Sequence, residues 1–376
     1  MSPPPFPPHR RTWVEINLDA LRSNLSVLRR CIGARPEIMA VVKANAYGHG
    51  AEEVASAVAS QVGSFGVATV EEALPLLRLG LPVFLLSPCL PCERATAVSE
   101  GLIPVVSSAA EALAYALLGP CRVNFKLDTG MGRIGCLPER AHRELESIAS
   151  VPRLTVQSIS THLPSADEDR SFTASQLAEA KDLCGRLSPL VPGAKFHFLN
   201  SAGILEFGSE AGDIVRAGLA MYGAAYPYTH QPLLEPALTW KARVLLVRDL
   251  PEGATVGYGR TFRTPSRMRV ASISVGYADG FPRQASGRGA EVLIGGVHRP
   301  VLGRVTMDQI VVDVSADPLP VEGDEVVLIG RQGGGEITAV ELAEKSNTIA
   351  WHIFTGLGPR VHRTYSGAVA AEGATG

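Results

Sequence analysis

Lys43 directly follows the apolar run Ile38–Val42. Desolvation against such a run lowers the pKa of an ammonium group, and the free amine can condense with a carbonyl compound to a Schiff base. Other polar residues stand in the same relation to other apolar runs. Lys126 and Asp128 close VNFKLD, with Arg133 shortly beyond; His162 follows VQSIST; Asn200 and Ser201 follow KFHFL; Arg216 lies in DIVRAGL. A single polar residue after a strand reads as a solvated loop position. So many ionisable groups in equivalent places read as one converging site.

Such convergence needs a scaffold that brings strand ends together. Between residues 36 and 220 eight short apolar runs, from IMAVVKA to DIVRAGL, alternate with stretches of helical spacing such as AEEVASAVASQ and ERAHRELESIAS. The runs are continuous rather than alternating, as in parallel strands covered on both faces. Eight strand–helix pairs predict a (β/α)₈ barrel, with chemistry at the carboxyl ends of its strands. From about residue 240 the texture turns β-rich, with Gly, Pro and Asp between the runs, which predicts a second, mostly β domain. The expected division is a flexible proline-rich tail over 1–11, the barrel over 12–242 and the β domain over 243–376. A first strand at about 12–18 is expected to pair with the C-terminal domain, and a helix with Asp19 near its start follows it.

The 376 residues are 46% hydrophobic and 19% charged, with a net charge of −2, enough apolar material for two cores and no electrostatic footprint for nucleic acid or a membrane surface. There is no transmembrane-length apolar stretch and no signal peptide in MSPPPFPPHRR, so a soluble cytoplasmic protein is expected. Cys89 and Cys92 form a CxxC, but no second ligand pair or thioredoxin-like context accompanies them, so reduced thiols are expected. His162 and His197 alone are too few for a metal-dependent barrel hydrolase, and no metal site is assigned.

The segment around Lys43, AVVKANAYGHG, resembles the cofactor-attachment segment of alanine racemases, fold-type III enzymes dependent on pyridoxal 5′-phosphate (PLP). KLDTGMGRIG, STHLPSAD, NSAG, DIVRAGLAMYG, SVGYADG and GRVTMDQIVVDV resemble further segments of that family in the same order, from about residue 12 to 363. The resemblance implies a PLP-dependent racemase that interconverts L- and D-alanine by two bases, supplies D-alanine for peptidoglycan, and works as a homodimer with shared sites. Lys43 would hold PLP and serve one face of the substrate; Tyr277, from the partner subunit, would serve the other. Two acid–base groups let a proton leave one face of Cα and return on the opposite one. Arg216 would donate to the pyridine nitrogen and keep it unprotonated, a weaker electron sink than a carboxylate partner gives. His162 would bond Arg216 and relay its charge toward Tyr277. Arg133 would contact the cofactor's phenolic oxygen and the substrate carboxylate. Lys126 matches a lysine that is often carbamylated in the family; a strand lysine paired with Asp128 is the competing reading. The phosphate would sit on the N–H groups of Gly218 and Leu219, helped by Ser201 and Tyr47, with Asn200 on the same rim. Met307, from the partner, would offer its N–H to the substrate carboxylate, with Asp308 beside it.

One departure stands out. Pro359, in LGPRVHRTY, occupies the place of a tyrosine that touches the phosphate and narrows the entrance in the family. The pocket is therefore expected to be more open, which brings in a broader serine/alanine racemase as an alternative. A fold-type III decarboxylase is a second rival; it would place an acidic residue where Arg216 stands. A non-catalytic PLP carrier is a third, and the extra domain with VGYADG speaks against it.

Overall fold

The computed structural model describes residues 10–367, so the expected proline-rich tail lies outside it except for Arg10 and Arg11. The chain divides into two compact units. Among the described residues, one comprises Leu21–Ala46 and Gly50–Glu235; the other comprises 10–20, Tyr47–His49 and 236–367.

Strand β1 (Thr12–Asn17) belongs to the second unit. The first unit holds β2 (Glu37–Val41), β3 (Ser64–Val67), β4 (Val83–Leu85), β5 (Val105–Val106), β6 (Cys121–Lys126), β7 (Leu154–Ser160), β8 (Lys195–His197) and β9 (Ile214–Ala217). They are eight, as the apolar runs predict, in the order β4-β3-β2-β9-β8-β7-β6-β5 with parallel pairing throughout. Leu85 N–H to Ile103 O and Ile103 N–H to Val83 O, both 2.9 Å, join the two ends into a barrel. Every residue of β3 and β9 is buried, which is why these strands read as unbroken apolar runs. Met39, Phe84, Ile103 and Ile214 form an interior layer, with Leu86 against it. At Gly66 a Cβ would come within 2.9 Å of both Leu86 and Met39, so glycine gives the layer its room. Each fully buried aliphatic or Phe side chain of this kind stabilises the unit by roughly 1.5–3 kcal/mol.

The second unit is built on β1 with β10 (Leu238–Leu250), β13 (Met268–Ile273), β14 (Glu291–Ile294), β15 (Val297–Leu302), β16 (Ile310–Asp313), β17 (Glu325–Gln332), β18 (Gly335–Ile337) and β19 (His362–Ser366), plus a ribbon of β11 (Thr255–Val256) and β12 (Phe262–Arg263). The order is β18-β17-β14-β15-β16-β13-β10-β1-β19, and an added β17–β10 pairing closes six of the strands on themselves. Strand β1 runs antiparallel to β10 and parallel to β19. β10 is continuous across residues 242 and 243 because it is bonded in succession to β1, β17 and β13. Leu250, Val256, Val270 and Leu302 form one core cluster of this unit. Asn17 at the end of β1 accepts N–H bonds from Asp19 (3.0 Å) and Ala20 (3.2 Å), and so starts the helix Leu18–Ile32, whose first turn carries Asp19.

Candidate active site

Lys43 leaves β2 into an unusual turn. Ala44, Asn45 and Ala46 have φ of 51°, 53° and 51° with ψ near 50°, one turn of left-handed helix. L-residues other than glycine resist this conformation by roughly 1–2 kcal/mol each. Local bonds hold it: Ala46 N–H to Val42 O (2.8 Å), Gly50 N–H to Asn45 O (2.9 Å) and Ala51 N–H to Asn45 Oδ1 (2.9 Å). Glu72 completes the brace, accepting from Ala44 N–H (2.7 Å) with one oxygen and from Ala68 N–H (2.8 Å) with the other. Sequence reading misses Glu72, since an acidic pair in a first helical turn looks like an ordinary solvated start.

The amine held there is largely buried. Burial and then the Arg133 guanidinium push the Lys43 ammonium pKa down; Glu72 opposes this and Arg216 adds to it. Arg216, on β9, is buried and bonded only to neutral acceptors. Nη1 donates to His197 O (2.9 Å) and meets His197 Nδ1 (2.9 Å); Nη2 donates to Thr161 O (2.8 Å) and Phe198 O (2.9 Å) and meets His162 Nδ1 (3.1 Å). Burial brings its pKa down to about 10, so it remains a cation at neutral pH. Burial, and then Arg216, hold both His162 and His197 well below the ordinary imidazole pKa, so both are neutral. His197 is a second histidine on Arg216, and it is anchored in turn by Asn124 (3.2 Å) and Ser158 (3.1 Å). Its only sequence signal is a polar residue inside an apolar strand.

Lys126 ends β6, and the pairing with Asp128 considered above does not form. Asp128 Oδ1 accepts N–H bonds from Gly130 (3.1 Å), Met131 (2.9 Å) and Gly132 (3.0 Å). Burial raises the Asp128 pKa, but those three amides, Gly132 foremost, carry it below the usual carboxylate value. Lys126 itself is buried, and burial, then Arg216 and Arg133, hold its ammonium pKa far down. Arg133 is exposed on the loop that Asp128 folds. Ser201 opens the helix Ser201–Phe207, and its Oγ accepts from Gly218 N–H (3.0 Å) and Ala220 N–H (3.2 Å), gathering Ser201, Gly218 and Leu219 at the end of β9. Asn200 caps the same helix through Gly203 N–H (3.0 Å) and donates to Leu163 O (3.0 Å), which commits its amide to structure.

The remaining candidates lie in the β unit. Tyr47 is buried, which pushes its phenol pKa up. Tyr277 and Met307 are exposed, 42% and 53%, on two loops stitched by Tyr277 N–H to Thr306 O and Ala278 N–H to Met307 O, both 3.0 Å. A Cβ at Gly276 would lie 2.3 Å from Met307 O, so only glycine allows this approach. Asp308 is held by Arg360 at 2.8 Å, and Pro359 is exposed in the turn beside that arginine.

In the barrel, then, Arg133 and Arg216 both depress the ammonium pKa values of Lys43 and Lys126, and none of the four forms an ion pair with a carboxylate among the described residues. Their nearest anions, Glu72 and Asp128, spend oxygens on backbone amides. Burying the Arg216 guanidinium this way is costly unless an anion completes it. A cofactor with a phosphate, a phenolate and an aldehyde for the Lys43 amine fits that donor set.

A (β/α)₈ barrel carrying such an amine, followed by a mostly β unit, defines a fold-type III PLP enzyme. The profiles of the alanine racemase N-terminal and C-terminal domains match residues 16–226 and 237–365. An alanine racemase of Symbiobacterium thermophilum is 44% identical over 96% of this chain and 98% of its own length. Among solved structures, the alanine racemase of D-cycloserine-producing Streptomyces lavendulae is 36% identical with a TM-score of 0.87, covering 96% of this chain and 98% of that one. That of Bartonella henselae, solved with covalently bound pyridoxal phosphate, is 31% identical with a TM-score of 0.84, covering 95% and 99%. The chain belongs to the alanine racemase family, a family of PLP-dependent isomerases. Among the described residues, no helix is long and apolar enough to cross a membrane.

Proposed function

We propose that this chain interconverts L- and D-alanine, as a cytoplasmic homodimer that supplies D-alanine for peptidoglycan. The observation that carries the reading is Arg216, a buried cation ringed by two neutral histidines and three carbonyl oxygens, with no carboxylate ion-paired to it. An arginine at the pyridine nitrogen leaves that nitrogen unprotonated, which favours simple proton exchange over decarboxylation or transamination. Bound PLP supplies the electron sink that acidifies the substrate's α-hydrogen. Lys43 attaches the cofactor and, as an amine with a lowered pKa, holds or returns a proton at its Nζ. Tyr277, exposed on its loop, is the base for the opposite face in the partner's site, and this requirement is the support for a homodimer. His162 stays neutral beside Arg216 and can take part in passing a proton without adding charge.

Arg133 binds the phenolic oxygen and the substrate carboxylate. Ser201, Gly218 and Leu219 hold the phosphate, with Asn200 shaping the rim from its capping position. Met307 offers its N–H to the substrate carboxylate, and Asp308 sits beside it. Lys126 is a buried amine with a lowered pKa and no ion pair, which suits carbamylation; the carbamate would turn a cation that repels Arg133 into an anion that attracts it. Pro359 carries no hydroxyl, and this favours a broader second reading in which serine is also accepted. Purified holoenzyme offered a panel of L-amino acids, with chiral analysis of the products, tests both. D-alanine accumulating to equality with L-alanine is the expected result; absence of any D-product would reject the assignment.

A further inference from the structure

Three loops of the β unit meet at one arginine. The Tyr277 loop and the Met307 loop are stitched at their bases by two backbone bonds. A third segment, Gly356–Arg360, lies against the first one backbone to backbone. Gly358 N–H donates to Asp279 O (3.0 Å), and a Cβ at Gly280 would lie 2.3 Å from Gly356 O. From this segment the Arg360 side chain reaches both other loops: Nε to Asp279 Oδ1 (3.1 Å) and Nη1 to Asp308 Oδ1 (2.8 Å). Asp279 is two residues past Tyr277, is nearly fully buried, and uses its second oxygen to accept Gly276 N–H (2.9 Å). Asp308 directly follows Met307. Asp279, Asp308 and Arg360 all line a cavity of about 550 Å³, so packed side chains do not fix the loops on that side. Pro359 sets the turn that aims Arg360, because its ring locks one backbone dihedral.

We infer that Arg360 is a positioning residue: by bridging Asp279 and Asp308 it fixes the Tyr277 phenol relative to the Met307 backbone, and Pro359 pre-sets the bridge. This rests on Tyr277 being the second base. The bridge acts through loop geometry, where a displacement of about 1 Å can cost on the order of 100-fold in rate.

The test uses PLP-loaded Arg360→Ala, Arg360→Lys, Asp308→Asn and the Arg360→Ala/Asp308→Asn double variant, with Tyr277→Phe as the control. Arg360→Ala is expected to lower kcat by about 10- to 100-fold, with a smaller change in KM, while visible cofactor absorbance and sedimentation stay as in the parent. The α-deuterium isotope effect should change in one direction of racemisation only, since Tyr277 serves one face. Lysine, with one charged nitrogen, should restore part of the rate. Asp308→Asn should lose less than Arg360→Ala, and the double variant no more than Arg360→Ala, because both cut the same bridge. Unchanged kcat in Arg360→Ala, or equal loss of cofactor and activity, would overturn the inference. Should Arg360→Ala not fold, an Asp308→Asn enzyme with parental kcat and isotope effects overturns it instead. If Tyr277→Phe racemises at full rate the underlying reading fails; if Tyr277→Phe is crippled while the bridge variants are normal, only the positioning role fails.

Discussion

The two units handle charge in opposite ways. The barrel gathers Lys43, Lys126, Arg133 and Arg216 without an ion-paired carboxylate among the described residues, and ties Arg216 to neutral acceptors. The β unit neutralises its own arginine with Asp279 and Asp308 and leaves Tyr277 and Met307 uncovered. One unit lacks an anion; the other leaves a phenol and a thioether exposed. The contrast teaches that stability and function are separated differently in each. In the barrel the site cations lack an ion-paired carboxylate, whereas in the β unit a carboxylate-paired arginine ties together the loops that carry the functional residues.

The sharpest break of this comparison is at Lys43. Lys43→Ala should abolish covalent cofactor attachment and lower racemisation by on the order of 10⁴-fold or more, followed by cofactor absorbance and chiral assay. Tyr277→Phe should cost on the order of 10²- to 10⁴-fold in kcat with the cofactor still bound. Loss of both together would instead make the tyrosine structural. Gly276→Ala probes the satisfied framework of the β unit. The added carbon meets Met307 O, and a loss of about 2–3 kcal/mol in denaturant unfolding is expected, with the barrel's cofactor absorbance retained.

A smaller effect sharpens the barrel side. His162 and His197 stay neutral in the folded state, while in the unfolded chain each takes a proton near its ordinary pKa of about 6.5. The unfolded state therefore binds more protons below that pH. Stability is constant above about pH 6.5 as far as these groups go, and falls as the pH drops further, by up to about 1.4 kcal/mol per pH unit for each histidine. Melting curves from pH 7 to 5 should show this decline, and His197→Gln should make it shallower. Least of all, Pro359→Tyr should shift the serine-to-alanine rate ratio by several-fold toward alanine; an unchanged ratio would remove Pro359 from the determinants of selectivity.

Much of this was written in the linear chain. The eight buried strands announce themselves because a strand covered on both faces is apolar along its whole length. The polar residues at their ends mark the barrel mouth, and six motifs in order specify the family. Lys43 follows its strand, and Arg216 and His162 are placed by theirs. Other features could not be read there, because they depend on what lies far off along the chain. Ala44 and Ala46 have no local preference for left-handed backbone; Glu72 and the bond to Val42 impose it. Asp128 looks like the partner of Lys126, yet three amides of its own loop capture it. Asp308 reads only as the neighbour of Met307, and that Arg360, distant in sequence, bonds its carboxylate shows only in the fold. Sequence determines which residues are apolar and in what period, and that decides the fold. Which polar atom meets which is decided only when the folded backbone supplies competing donors and acceptors.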